Sequence, residues 1–268
     1  MDDEPEDDVE IDDESDVSLK PSDTADPDSI VAAKIPKDIR TKYEVFSYRN
    51  AAVILSETRP EEFKEILEAL RKFEITTTMI RTAGGNESDI PKILSQSLRP
   101  KGWHETTIQG DLLVKKIWKQ PIQKKGKPSF EIKETKIVRE KYIDGHKIDY
   151  IKGKVAFDLE WNSKDQTFDR DLYAFNAFSQ TGVIDVGILL TRSASLNPIF
   201  KELGPSLNKD GSKEHKKSGK IRMTHEKYGA STTWMGKLLY RLNAGRNGSC
   251  PVLAVGITPA CISDRGKR

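Results

Sequence analysis

The chain has 268 residues, 36% hydrophobic and 32% charged, with a formal net charge of +2. That length allows one substantial domain or at most two small ones; no apolar run is long enough for a membrane span, and an acidic start lacks the basic opening of a signal peptide, so a cytoplasmic protein is expected. Two cysteines, Cys250 and Cys261, exclude a disulfide framework, and neither they nor the scattered His104, His146, His215 and His225 have zinc-site spacing.

The small net charge hides a strong asymmetry. Residues 1–29 carry 14 Asp and Glu against the single Lys20, a balance of −13 that leaves +15 on residues 30–268. So acidic a segment, with few large apolar groups, is expected to be a disordered tail, and the basic remainder a single folded domain that attracts polyanions.

The pattern becomes globular near Lys37. Phe63, Ile66, Leu67, Leu70 and Phe73 follow Pro60 at helical spacing, with Glu61 and Glu62 in the first turn. Gly84-Gly85-Asn86 predicts a break, 88–98 a short helix, and Gly102-Trp103 its end. Strand-like pieces come next at 106–118, 130–137, 147–151 and 154–161, the basic stretch 119–127 reading as an exposed loop. A second helix is predicted over 165–179, with Phe168, Leu172, Phe175 and Phe178 on one face, and it leads into a buried strand over 183–190. Residues 193–197 read as a loop and 209–220 as a second basic loop. Met235, Leu238, Leu239 and Leu242 mark a last helix closed by Gly245, and 252–257 a last strand. This order predicts an α/β (α+β) fold, a mixed sheet flanked by helices.

Chemistry is legible between Asp149 and Asn162. Along the strand 154–162, Val155, Phe157, Leu159 and Trp161 alternate with Asp158, Glu160 and Asn162, so two carboxylates share one face. Asp149 precedes Asp158 across Gly153, which permits a turn that brings it alongside. Three clustered carboxylates repel unless a cation lies between them, and hard oxygen ligands suit Mg²⁺, the ion of phosphodiester hydrolysis. Taken alone, the same pattern also describes an amphipathic strand with acids on its wet face.

The blocks Val155-Ala-Phe-Asp-Leu-Glu-Trp-Asn-Ser-Lys-Asp165, Phe168-Asp-Arg-Asp-Leu172, Ile184-Asp-Val-Gly-Ile-Leu-Leu-Thr-Arg192, Lys227-Tyr-Gly-Ala-Ser-Thr-Thr-Trp-Met-Gly-Lys-Leu and Gly248-Ser-Cys-Pro-Val-Leu-Ala-Val-Gly256 resemble, in order, the BglII/BstYI family of type II restriction endonucleases in the PD-(D/E)XK superfamily. The resemblance implies a restriction-endonuclease-like core and Mg²⁺-dependent hydrolysis of both strands of double-stranded DNA at a palindrome, with a GATC core and 5′-phosphate products. It further implies a homodimer working beside a cognate DNA methyltransferase. Asp149 and Asp158 become metal ligands with the carbonyl of Leu159, and Glu160, standing where the usual motif has Lys, handles the attacking water. Glu105 is a candidate for the family's upstream acidic residue. Three regions are implied to contact DNA: Asn162, Ser163 and Lys164; Ser193, Ser195 and Asn197; and Ser231, Thr232 and Thr233, beside Trp234 where relatives carry His. Lys115, Lys116, Lys124, Lys125, Lys216 and Lys217 are assigned to phosphates, which position a protein without informing it of sequence. The competing readings are a non-cleaving DNA-binding protein, a less specific repair or transposition nuclease of the same fold, and an interaction protein built on the charge asymmetry.

Overall fold

The computed structural model describes residues 21–22, 24–82, 88–229 and 231–265. Residues 1–20 of the expected tail and the expected break at Gly84-Gly85-Asn86 lie outside them. Two compact units are distinguishable, the larger formed by Met1–Glu105 and Ile148–Arg268, the smaller by Thr106–Lys147, and the domain expected over 30–268 spans both.

The larger unit opens with helices α1 (Asp28–Lys34) and α2 (Lys37–Lys42), strand β1 (Tyr43–Tyr48) and helices α3 (Ala51–Thr58), α4 (Pro60–Lys72), α5 (Thr77–Arg81) and α6 (Asp89–Leu98). Strands β2 (His104–Lys124) and β3 (Lys127–Lys152) follow, and β3 returns the chain to this unit. Then come β4 (Val155–Glu160), α7 (Thr167–Gln180), β5 (Val186–Arg192), α8 (Asn197–Glu202), α9 (Met235–Asn243) and β6 (Val252–Ile257). The hydrogen-bonded strand order is β1-β6-β5-β4-β3-β2. β4, β5 and β6 run parallel, while β1 and the end of β3 are antiparallel to their neighbours, so the sheet is mixed. This is the restriction-endonuclease-like α/β architecture expected from the sequence.

Each β4 face has its own cover. Val155, Phe157, Leu159 and Trp161 join the core that also holds Leu55, Phe63, Ile66, Leu70 and Trp103 from the N-terminal helices and their flanks. The opposite face lies under α7, whose Phe168, Leu172, Phe175 and Phe178 are buried, and α9, with Leu238 and Leu242 buried, packs beside α7 on β6. The alternation read from sequence is therefore present, but neither face is wet: every residue of β4 is buried.

Several sequence expectations are corrected. Residues 21–29 are not disordered at their end: the Asp26 amide donates to the Ser47 carbonyl (2.7 Å), and its carboxylate accepts from Ser47 Oγ (2.5 Å) and the Asn50 amide (3.0 Å). An acid that counts as self-repelling in composition is here an acceptor for a turn whose Asn50 lies at φ 61°. The expected basic loop over 119–127 is mostly strand. β2 runs to Lys124, and only Lys125 (φ 49°) and Gly126 (φ 74°) turn, the backbone a two-residue hairpin requires. The two strands expected at 130–137 and 147–151 are one, β3. The strand expected at 183–190 begins at Val186, because Gly182 turns left-handed after α7 and Asp185 pairs with Arg59. The loop expected at 193–197 is a 3-10 turn, Ala194–Leu196, running into α8.

Gly187 in β5 is required by its neighbour: a Cβ there would lie only 2.2 Å from a ring carbon of Phe175. Gly187→Ala is expected to lower the thermal midpoint by roughly 3–10 °C in a melting experiment, because the α7 ring must leave its place to admit a methyl group.

Candidate active site

The β3–β4 hairpin builds the site. Gly153, at φ 54°, closes the turn, and the ladder pairs Lys152 with Val155, Ile151 with Ala156 and Tyr150 with Phe157. At the next position the strands part, and side chains take over as partners. The Asp149 amide donates to Asp158 Oδ1 (2.6 Å), and the Leu159 amide to Asp149 Oδ2 (3.4 Å). Both aspartates are thus fixed by backbone. Glu160 projects from the same face of β4, and its own carbonyl accepts from Thr191 Oγ1 (2.7 Å) on β5.

Asp149, Asp158 and Glu160, singled out from sequence, are therefore brought together, and Asp158 and Glu160 are only 4% and 8% exposed. A fourth acid was not foreseen. Asp171 on α7 is 1% exposed and brings a carboxylate oxygen within 4.8 Å of one on Asp158. The signal lay in the helix pattern: Asp171 stands one residue before Leu172 and three after Phe168, on the inward stripe of α7.

Crowding of like charges in a desolvated place raises their proton affinity. Burial pushes Glu160 up to about 8, with the charges of Asp171 and Asp149 adding to it while a Ser163 hydrogen bond and Arg170 oppose. Asp158 is raised well above the ordinary range by burial, then by Asp171 and Asp149. Asp149, half-buried, is raised by burial against the Leu159 amide and the positive charge of Arg99. Glu105 is exposed but near enough for its charge to add to that rise. Asp158 Oδ2 and Glu160 Oε2 are buried and meet no hydrogen-bond donor among the described residues. Two such oxygens facing other carboxylates form a donor set of the kind a small hard cation needs.

Two of the three regions expected to contact DNA are adjacent. The Thr233 amide donates to the Ser163 carbonyl (2.8 Å), the Ser163 amide to Thr233 Oγ1 (3.1 Å) and the Asp165 amide to the Ser231 carbonyl (3.0 Å), while Lys164 bridges Thr232. Asn162, Lys164 and Ser231 are exposed, Ser163 and Thr232 half-buried and Thr233 buried. The Asn162 amide group donates to the Lys227 carbonyl (3.1 Å). In the second region Ser193 is buried and caps the 3-10 turn, accepting from the Ser195 amide (3.1 Å); Ser195 is exposed and Asn197 half-buried. A cavity of about 450 Å³ opens beside them, with Leu159, Trp161, Asn162, Ser163 and Lys227 in its wall. Of the lysines assigned to phosphates, Lys216 pairs with Glu226 (2.6 Å), whereas Lys115, Lys116, Lys124, Lys125 and Lys217 are exposed.

The raised proton affinity has a sign that can be checked. With cations removed, folded Glu160 keeps its proton up to about pH 8, while in the unfolded chain it loses it near its ordinary value of 4.5. Stability therefore falls as pH rises between those values and levels off above them. Melting in EDTA across that window is expected to show this decline in the wild type and a shallower one in Glu160→Gln, the residue of slope coming from Asp149 and Asp158.

No curated protein matches the chain. Residues 43–257, well over half of its length, match the family described as Restriction endonuclease BglII/BglIII. The matched span contains Asp149, Asp158, Glu160 and Asp171, and the chain belongs to this family of type II site-specific deoxyribonucleases.

Proposed function

We propose that the protein cuts both strands of duplex DNA at a short palindrome with a GATC core, using Mg²⁺ held by Asp149, Asp158 and the Leu159 carbonyl, and leaves 5′-phosphates. One observation carries the metal reading: buried Asp158 Oδ2 and Glu160 Oε2 lack a donor among the described residues, inside a group of four carboxylates. When bound, Mg²⁺ supplies neutralisation of charge on the phosphate and activation of water. Asp149 and Asp158 orient their free oxygens through the two backbone hydrogen bonds that hold the others. Glu160 accepts a proton from the attacking water, which it can do only as a carboxylate, the form that nearby positive charge favours. Arg170, exposed at the start of α7, pairs with Asp171 (3.5 Å) and lowers the proton affinity of Glu160, so it adds positive charge beside the acids. Asn162, Ser163, Lys164, Ser195, Asn197, Ser231 and Thr232 read bases, while Ser193 and Thr233 support them from beneath.

The protein works as a homodimer, one site per strand. In the smaller unit Ile117, Phe130, Ile132 and Val138 are more than half exposed, and a two-stranded ribbon with such side chains gains from a covering partner. A cytoplasmic location beside a protecting methyltransferase completes the reading. No helix among the described residues is long and apolar enough to cross a membrane.

Supercoiled, unmethylated plasmid incubated with protein and Mg²⁺ is expected to give discrete fragments, and none in EDTA. Asp149→Asn and Asp158→Asn are each expected to lower cleavage by at least about 100-fold while remaining folded and DNA-bound. Fragment-end sequencing gives the site. A folded wild type that leaves diverse DNA intact in Mg²⁺ would overturn the proposal.

A further inference from the structure

Arg192 ends β5 and is 1% exposed, yet among the described residues no carboxylate pairs with it. A buried guanidinium without a counter-charge is costly and persists where neighbouring oxygens accept from its donors. Here Nε donates to the carbonyls of Trp161 (2.9 Å) and Thr233 (3.1 Å), and Nη2 to Thr232 Oγ1 (2.6 Å). The guanidinium carbon lies 4.9 Å from the ring centre of Tyr228 and 5.5 Å from that of Phe200, two rings stacked at 4.1 Å. Trp161 immediately precedes Asn162, so one rigid, planar group is bonded at once to the root of the 162–164 segment and to the 232–233 segment.

We propose that Arg192 is a specificity-determining positioning residue, whose guanidinium fixes the register between segments 162–164 and 231–233 and so the spacing of the atoms that read bases. The inference rests on those segments being the DNA-contacting ones. Base edges are distinguished by hydrogen-bond patterns that tolerate little displacement, and one wrong base pair costs about 10- to 100-fold when donors and acceptors are held in place. Losing the fork loosens both segments together and shrinks that penalty, while Asp149, Asp158 and Glu160, anchored by the β3–β4 hairpin and Thr191, keep their places.

Lysine at 192 keeps the charge but is a point donor that cannot span two carbonyls and a hydroxyl in one plane. For Arg192→Lys, kcat/KM is measured on the wild-type site and on sites differing by one base pair, alongside thermal melting. The expected result is a fall of about 10-fold in discrimination, with cleavage of the altered sites kept or raised. Parallel loss at all sites with an unchanged ratio, together with a lower melting temperature, would mean a merely structural role and would overturn the inference. Should the lysine variant fail to fold, Phe200→Leu, which removes one ring from beneath the guanidinium, is expected to lower discrimination in the same direction, and an unchanged ratio there would count against it equally. Asn162→Ala and Ser231→Ala separate the two levels of argument. If neither alters discrimination, the segments do not read DNA; if they do and the Arg192 and Phe200 variants do not, only the role of Arg192 fails.

Discussion

Beyond the Tyr150–Phe157 pair, β3 and β4 stop sharing backbone hydrogen bonds and share carboxylates instead, and the candidate site is a consequence of that parting. A regular ladder would leave Asp149 and Asp158 to point wherever the pleat sent them. Because each accepts from the other strand's amide, both are held at the mouth of the gap, and the backbone donors that lose their ladder partners are satisfied. α7 then closes the gap from one side and contributes Asp171, so the acids are removed from water as well as crowded. A fold gains nothing in stability from such a group, and the raised proton affinity of Asp158 and Glu160 is the measure of its discomfort. The family to which the chain belongs cuts DNA, and the cation proposed above is what would offset such a crowd of acids.

The parallel strands dictate where the remaining functional parts collect. β4 and β5 leave the sheet at the same edge, so Asn162 after β4 and Ser193 after β5 emerge side by side, with the 231–233 segment hydrogen-bonded to the first. Crevices beyond the carboxyl ends of parallel strands are where open α/β sheets bind ligands, since each strand delivers a loop there without disturbing the core. The two faces of β4 divide the work. Leu159 and Trp161 seal the hydrophobic core, while Asp158 and Glu160, one residue away in each case, place carboxyl groups on the other side.

Much of this was legible in the residues, and the reasons the rest was not are physical. α4, α6, α7 and α9 announced themselves because a buried stripe recurs every three or four residues, and β6 because a short apolar run lies between Gly248 and Thr258. Asp158 and Glu160 were visible because alternation in one strand needs no tertiary information, and Asp149 because Gly153 permits the turn that brings it alongside and the family resemblance marks it. α1 and α2, seven and six residues long, and the five-residue α5 exist by packing, so no local periodicity could reveal them. Asp171 was hidden by habit: an Asp within an apolar stripe reads as an interruption, whereas in the fold it is the point at which α7 meets the acids. The long hairpin was missed because the basic composition of 119–127 outweighed Lys125-Gly126, the two residues that fix its turn.

Arg192 could not be read from sequence at all, since nothing local distinguishes an arginine that ends a strand in solvent from one that ends it in an aromatic box. Yet the chemistry of the loops depends on such a difference. Asn162, Lys164, Ser195 and Ser231 are exposed and can exchange water for base edges, while Ser193 and Thr233 are buried and spend their hydroxyls on neighbouring backbone. Recognition by exposed groups on short loops is exact only if those loops do not move against each other. Backbone hydrogen bonds between 163–165 and 231–233 supply one restraint, but bonds between two surface segments let the pair shift together. A guanidinium rooted in the central sheet, bonded to both and lying close to the rings of Tyr228 and Phe200, ties the pair to the same strands that carry Asp158 and Glu160. On the proposed reading, the groups that choose a sequence and those that break its backbone are thereby referred to one rigid frame, which a site-specific nuclease requires more than it requires a tighter grip.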